Sequence, residues 1–326
     1  MSTLALRDNV RDHKDRSARK MAQEGGSMTL GWRTRAIGRH LVDLPAEAKT
    51  IESYIFDEDI IEPIPNLNAQ ADLNGLVAQE ERRLRGASHS RRGSMFVERA
   101  AHANGSITLV SWKRPTSEIF YRFETYFCAG KKILKYSGDV SPSLKASALA
   151  GRGELASEWR EIMPGETPNG VGYVVNDAIL GDSDLNLESW RMVIQLPGMP
   201  DVSFTITSYT QHKVEPGLRD RAGGVLAALL GTVAGVAQLR NRQRPVGPIQ
   251  ADEILVAGTQ DGKRTYGFKW EAPGKADSLA EPNLNVSLHV GESAYPTNKE
   301  SFASDEEALE LWDAVVGSIR LRPGAV

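Results

Sequence analysis

The chain has 326 residues, 40% hydrophobic and 25% charged, with a net charge of −3 and a pI of about 6.1. That balance excludes the strongly basic surface that holds nucleic acid, and the length exceeds what one small core organises. The lone Cys128 excludes an intramolecular disulfide and a cysteine zinc site, and in its aromatic run it reads as a small buried hydrophobe.

Residues 1–27 are rich in Arg, Lys, Asp, Ser and Gly and lack the apolar stretch of an export signal. They read as a disordered tail or a start placed too early, with Met28 as the alternative start. Trp32 to Pro45 is the first segment able to join a core. Ile37, Leu41 and Leu44 are apolar and Pro45 ends the run, which predicts one strand bent at Gly38. Thr50 to Phe56 is a second β-rich run expected to pair with its neighbour. An acidic loop follows, Asp57-Glu58-Asp59 and Glu62, before Pro63 and Pro65.

Ala69 to Arg85 has the spacing of a helix, with Leu73, Leu76, Val77 and Leu84 on one face and Asn68 as its N-cap. The arginines beyond it (Arg82, Arg83, Arg85, Arg91, Arg92) have no interleaved aromatics and read as a solvated helix end rather than an anion patch. Ser94–Ala100, Ile107–Trp112, Ile119–Cys128 and Lys131–Tyr136 are predicted strands, with turns at Asn104-Gly105 and Ala129-Gly130. Aromatics on both faces of Ile119–Cys128 predict a strand covered on both sides. A helix opening at Ser141 or Ser143 extends to Trp159. Gly151 to Ala156 inside it fits G-x-G-x-x-A, but no strand precedes it, so it is no nucleotide fingerprint.

The breaker cluster Pro164 to Gly170 marks a boundary, placed at about residue 155. Beyond it come strands over Val171–Ile179, Leu187–Leu196 and Val202–Thr207. Asp182 to Asn186 begins like a calcium loop but lacks its glycine and its closing glutamate. Ala222 to Ala237 carries no charge. It is too short for a membrane span and predicts a helix lying on the second sheet. Glu253–Ala257 and Arg264–Trp270 flank the hairpin signal Asp261-Gly262, and Leu284–Val290 alternates. Ser304-Asp305-Glu306-Glu307 is a capping box opening a helix that carries Leu311, Trp312, Val315 and Val316.

These elements predict an α+β protein of two domains, 28–155 and 156–326, each an antiparallel-rich sheet with packed helices. No nucleophile elbow, zincin motif or P-loop is present, and the six histidines are scattered, so no catalytic, cofactor or metal site is expected.

Four phrases carry a resemblance: Trp32 to Pro45 with its Gly38-Arg39, apolar pair and Asp43-Leu44-Pro45, then Pro197 to Phe204, Gly267 to Gly274 and Leu311 to Pro323. In order and spacing they resemble the immunity proteins cognate to type VI secretion lipase effectors of the fourth class. The resemblance spans about residues 30–323. It implies a non-enzymatic two-domain protein of the periplasm whose partner is a phospholipase effector with an α/β-hydrolase fold. The chain departs from that family by lacking a visible signal peptide and the extra cysteine that members often carry around Gly170–Val175. Charge complementarity makes Asp57, Glu58, Asp59 and Glu62 candidate partner contacts. A different class, a lipid- or small-ligand-binding envelope protein with the 222–237 helix lining a pocket, is the alternative.

Overall fold

The computed structural model describes residues 29–65, 70–181, 187–221, 234–260, 263–290 and 302–326. The opening segment forms two strands, β1 (Trp32–Ile37) and β2 (His40–Pro45), paired antiparallel. The bend expected at Gly38 is a full reversal. Gly38 has φ +54°, and a Cβ on it would stand 2.3 Å from the Trp190 ring, so glycine alone fits this turn. β3 (Lys49–Phe56) and β4 (Asp59–Pro63) form the next hairpin. The acidic loop is therefore shorter than expected: Asp57 and Glu58 make the turn, at φ 50° and 65°, while Asp59 and Glu62 belong to β4.

The first helix, α1 (Gln70–Gly86), buries Leu73, Val77 and Leu84 against Ile107, Leu109, Tyr126, Cys128 and Ile133. Asn68, its expected cap, lies outside the described residues. β5 (Phe96–Ala101), β6 (Ile107–Arg114), β7 (Ser117–Ala129) and β8 (Lys132–Val140) form a meander under it. β7 is covered on both faces only toward its C-terminal end. Ile119 and Phe120 are exposed, because this long strand outruns the core.

Helix α2 (Lys145–Glu158) follows a 3₁₀ turn at Pro142–Leu144, and Trp159 already belongs to β9 (Trp159–Glu161). The single strand expected over Val171–Ile179 is a hairpin, β10 (Tyr173–Val175) and β11 (Ala178–Leu180). Asn176 and Asp177 sit at its tip with φ 46° and 60°, a conformation that Asn and Asp tolerate better than other side chains. β12 (Glu188–Gln195), β13 (Val202–Tyr209), β14 (Ala234–Gln243), β15 (Asp252–Gln260), β16 (Lys263–Ala272) and β17 (Asn283–Val290) come next. Helix α3 (Asp305–Gly317) and β18 (Arg320–Leu321) end the sequence of elements.

One expectation is corrected here. Of the helix predicted over Ala222–Ala237, residues 222–233 lie outside the described residues, and Ala234 to Ala237 open strand β14. Ala234 and Ala237 pair with Thr259 and Ala257 of β15, a tertiary partner that outweighs the helical propensity of alanine. The turn at Asp261-Gly262 and the segment 182–186 also lie outside the described residues.

Twelve strands form one sheet in the order β14-β15-β16-β17-β13-β12-β3-β4-β8-β7-β6-β5. Each half of the chain contributes six neighbouring strands, so each is an antiparallel sheet with packed helices, as the α+β class requires. The halves join edge to edge along β3 and β12, from Glu188 opposite Phe56 to Gln195 opposite Lys49. The main core lies on one face, where Trp312 of α3 meets Phe204 and Phe268 at ring distances of 6.0 and 5.6 Å and Ala156 of α2 joins Phe127, Leu134 and Tyr136. The small sheets β1-β2-β18 and β10-β11-β9 close that side. On the other face α1 covers one end, and Ile51, Ile55 and Ile60 remain exposed.

Candidate partner-binding site

The acidic turn is the first element of the surface. Asp57 and Glu58 are exposed, and the turn is fixed from below by the Asp57 N–H donating to the Leu187 carbonyl at 2.8 Å. The Tyr136 hydroxyl donates to the Phe56 carbonyl at 2.9 Å and holds the strand that feeds the turn. Asp59 points inward. Burial pushes its carboxyl above the usual aspartate range, against the opposing pull of the Arg152 guanidinium 3.1 Å away. Gly138 leaves room for it, since a Cβ there would stand 1.8 Å from the Asp59 carboxylate.

Arg152, which the sequence offers little reason to single out, anchors this turn. It is buried in α2, lies 3.5 Å from the centroid of the Tyr136 ring and bonds Asp59, so it ties the helix to the acidic turn. The only sequence signal was its place inside the glycine-flanked run 151–153, which reads first as a weak point of the helix. Together these groups line a groove of about 950 Å³ between α2 and the turn, with Phe120 and Leu144 on its apolar side and Asp139, Glu154 and Glu158 adding carboxylates.

The structure thus brings Asp57, Glu58 and Asp59 to one groove. Glu62 is not with them. Along β4 the side chains alternate, so Glu62 shares the opposite sheet face with exposed Ile60.

Three arginines of the cluster at the end of α1 and just past it are paired locally. Arg83 and Arg85 pair with Glu80 and Glu81, and Arg92 pairs with Glu118 at 2.8 Å. Cys128 is buried, and burial raises its thiol above the usual range, which suits a packing residue rather than a nucleophile. Among the described residues no cluster of His, Cys, Asp and Glu is arranged to hold a metal ion. No helix among them is long and apolar enough to cross a membrane.

This surface sets fixed carboxylates beside exposed apolar groups. Comparison with known proteins gives it a family. Residues 166–324 match the Tle cognate immunity protein 4 C-terminal domain. The apo structure of immunity protein TplEi of the type VI secretion system (T6SS) from Pseudomonas aeruginosa is 33% identical, with a TM-score of 0.83, over 90% of this chain and 98% of that one. A chain in the crystal structure of the Tle4-Tli4 complex is similar at 33% identity and a TM-score of 0.83, over 91% of this chain and 99% of that one. TplEi complexed with "L" peptide is similar at 34% identity and a TM-score of 0.77, over 90% and 99%. No curated protein sequence matches. The chain belongs to the family of Tle cognate immunity proteins.

Proposed function

We propose that this chain is a T6SS immunity protein that binds a cognate phospholipase effector of the α/β-hydrolase class and neutralises it by blocking substrate access. The observation that carries this reading is the end-to-end similarity to a chain of the Tle4-Tli4 complex, which covers both halves of the molecule. The protein works by occupying a surface and not by turning over a substrate. Its place of action is the periplasm, where such effectors meet their lipid. The exposed Asp57 and Glu58 at the mouth of the α2 groove are its acidic contacts, with Asp59 as their anchor, and Glu62 contributes from the opposite face. In this reading the chain divides into two lobes, 28–155 and 156–326, a division supported by the single β3·β12 seam of the large sheet.

The test is a titration of the purified chain into a phospholipase assay of the effector encoded beside it. Stoichiometric loss of activity with a stable co-eluting complex is the expected result. Two folded proteins that neither bind nor inhibit would overturn the reading. Asp57→Lys/Glu58→Lys is expected to raise the Kd about tenfold or more, with a weaker salt dependence, measured by calorimetry at two ionic strengths.

A further inference from the structure

One edge of β1 is open. Ile37 and His40 close the two-residue turn, so the main-chain groups of Ile37, Arg35 and Arg33 face β2. Gly38 faces the other way. Its N–H donates to the Val174 carbonyl at 2.9 Å, and its carbonyl accepts the Val174 N–H at 3.0 Å. By the two-residue period of a strand, Ala36 and Thr34 present their N–H and C=O groups on that same side. β10 does not follow them, because the chain turns away at Asn176-Asp177. Among the described residues none bonds these four groups.

Alongside this edge runs a cleft of about 830 Å³ whose far wall is the loop 162–168. The wall is preformed. The Glu166 carboxylate accepts the Met163 N–H at 2.9 Å and pairs with Arg160 at 2.9 Å. Met163 projects into solvent, 60% exposed, and Ile162 packs against Ala36 on the floor. Arg33 and Arg35 also line the cleft, and neither has a carboxylate partner among the described residues. The acids of the cleft are already engaged. Glu52 accepts from Thr50 and Tyr54, Glu161 from the Lys131 N–H, and Asp177 from Lys132.

An unpaired strand edge, a cleft beside it and two unengaged guanidiniums two residues apart define one kind of occupant. We infer that β1 takes an extended acidic segment of the cognate effector as an added strand. Carboxylates at alternate positions of that segment face Arg33 and Arg35, and its intervening apolar side chains face Ile162 and Met163. The inference rests on the effector-binding reading above and names a binding element within it.

Residue-resolved amide exchange tests it, on the chain alone and in complex with the phospholipase effector encoded beside it. The Thr34 and Ala36 amides are expected to exchange about tenfold slower or more in the complex. Those of Arg33, Arg35 and Ile37, already inside the β1·β2 ladder, are expected to change little. Thr34→Pro and Ala36→Pro delete outward N–H groups that the ladder does not use, and each is expected to weaken binding about tenfold or more. Arg33→Glu/Arg35→Glu is expected to do the same and to lower the salt dependence of binding. A complex in which Thr34 and Ala36 exchange as in the free chain overturns the inference and leaves effector binding intact. So do folded proline variants that bind like the parent. Absence of any complex with the parent chain overturns both. If the proline variants fail to fold, the exchange rates in the unaltered complex still decide.

Discussion

Two buried basic side chains where the opening hairpin meets β18, His40 held neutral and Arg322 charged, carry the sharpest consequences at the residue scale. His40 is fully packed beneath Trp190, at a ring distance of 5.9 Å, and burial together with neighbouring Arg39 lowers its pKa to about 4. The unfolded chain binds this proton near pH 6.5, so between pH 6.5 and 4 the unfolded state holds more protons than the folded one. The His40 contribution is therefore present above pH 6.5 and is lost as the pH falls toward 4, by an amount on the order of 3 kcal/mol. Urea unfolding of the parent and of His40→Leu from pH 7 to 4.5 checks this: the variant is expected to show the shallower decline. Arg322 is the second. It is 1% exposed and donates to the carbonyls of Gly170 and Gly172, both at 2.5 Å. Burial, with Arg39 beside it, lowers its pKa to about 10. Arg322→Ala strands these carbonyls without donors and is expected to cost about 3 kcal/mol, read as a lower urea midpoint with an unchanged slope. None of this was visible in the sequence, where His40 is one of six scattered histidines and Arg322 one cation near Pro323. Burial of a charge depends on partners far along the chain, and composition does not report them.

At the scale of elements, the sequence was clearest where local chemistry and tertiary packing agree. The α3 cap forms on one side as predicted and shifts by one residue on the other: the Ser304 hydroxyl accepts the Glu307 N–H, and the Glu307 carboxylate accepts the N–H of Ala303, just before the cap, at 2.7 Å. Ser304→Ala is expected to lower stability by about 1 kcal/mol, measured by thermal unfolding. The alternation of β12, β13 and β17 was equally legible, since each buries every second side chain. The failures share one cause. Gly38 and Asn176-Asp177 reverse the chain within two residues, and a hydrophobic pattern running through such a turn looks like one longer strand. Ala234–Ala237 was misread for a related reason, because small apolar residues satisfy helix and strand alike until a partner strand is known. Of the candidate site, the acidic turn could be read because its charges are contiguous. The groove under it and Arg152 could not, because they arise only when α2 folds back over β8.

At the scale of the molecule, the twelve-stranded sheet makes the two halves of the chain one mechanical object. The ladder between β3 and β12 and the pairing of β18 with β2 both cross the loop 162–168. A single proteolytic cut in that loop is therefore expected to leave the halves associated, running as one particle on size exclusion and separating only in denaturant. Fragments that part under native conditions would show that the seam does not hold. The same continuity sets the geometry of binding. The α2 groove and the β1 cleft are fixed relative to each other by strands and not by a linker, so a partner that engages both meets a preorganised surface.

The pairing of β18 with β2 also bears on the order of folding. Arg320 and Leu321 bond alongside Leu41 and His40, and the Arg322 N–H donates to the Arg39 carbonyl at 2.8 Å. The opening hairpin is thus completed only by a segment far along the chain. Closing so long a loop is entropically slow, so β2 is sealed late in folding. A copy truncated before Arg320 lacks the strand that seals β2 and the guanidinium that pins residues 168–172. A copy lacking these contacts is thus left open to proteolysis at both the opening hairpin and the 168–172 segment.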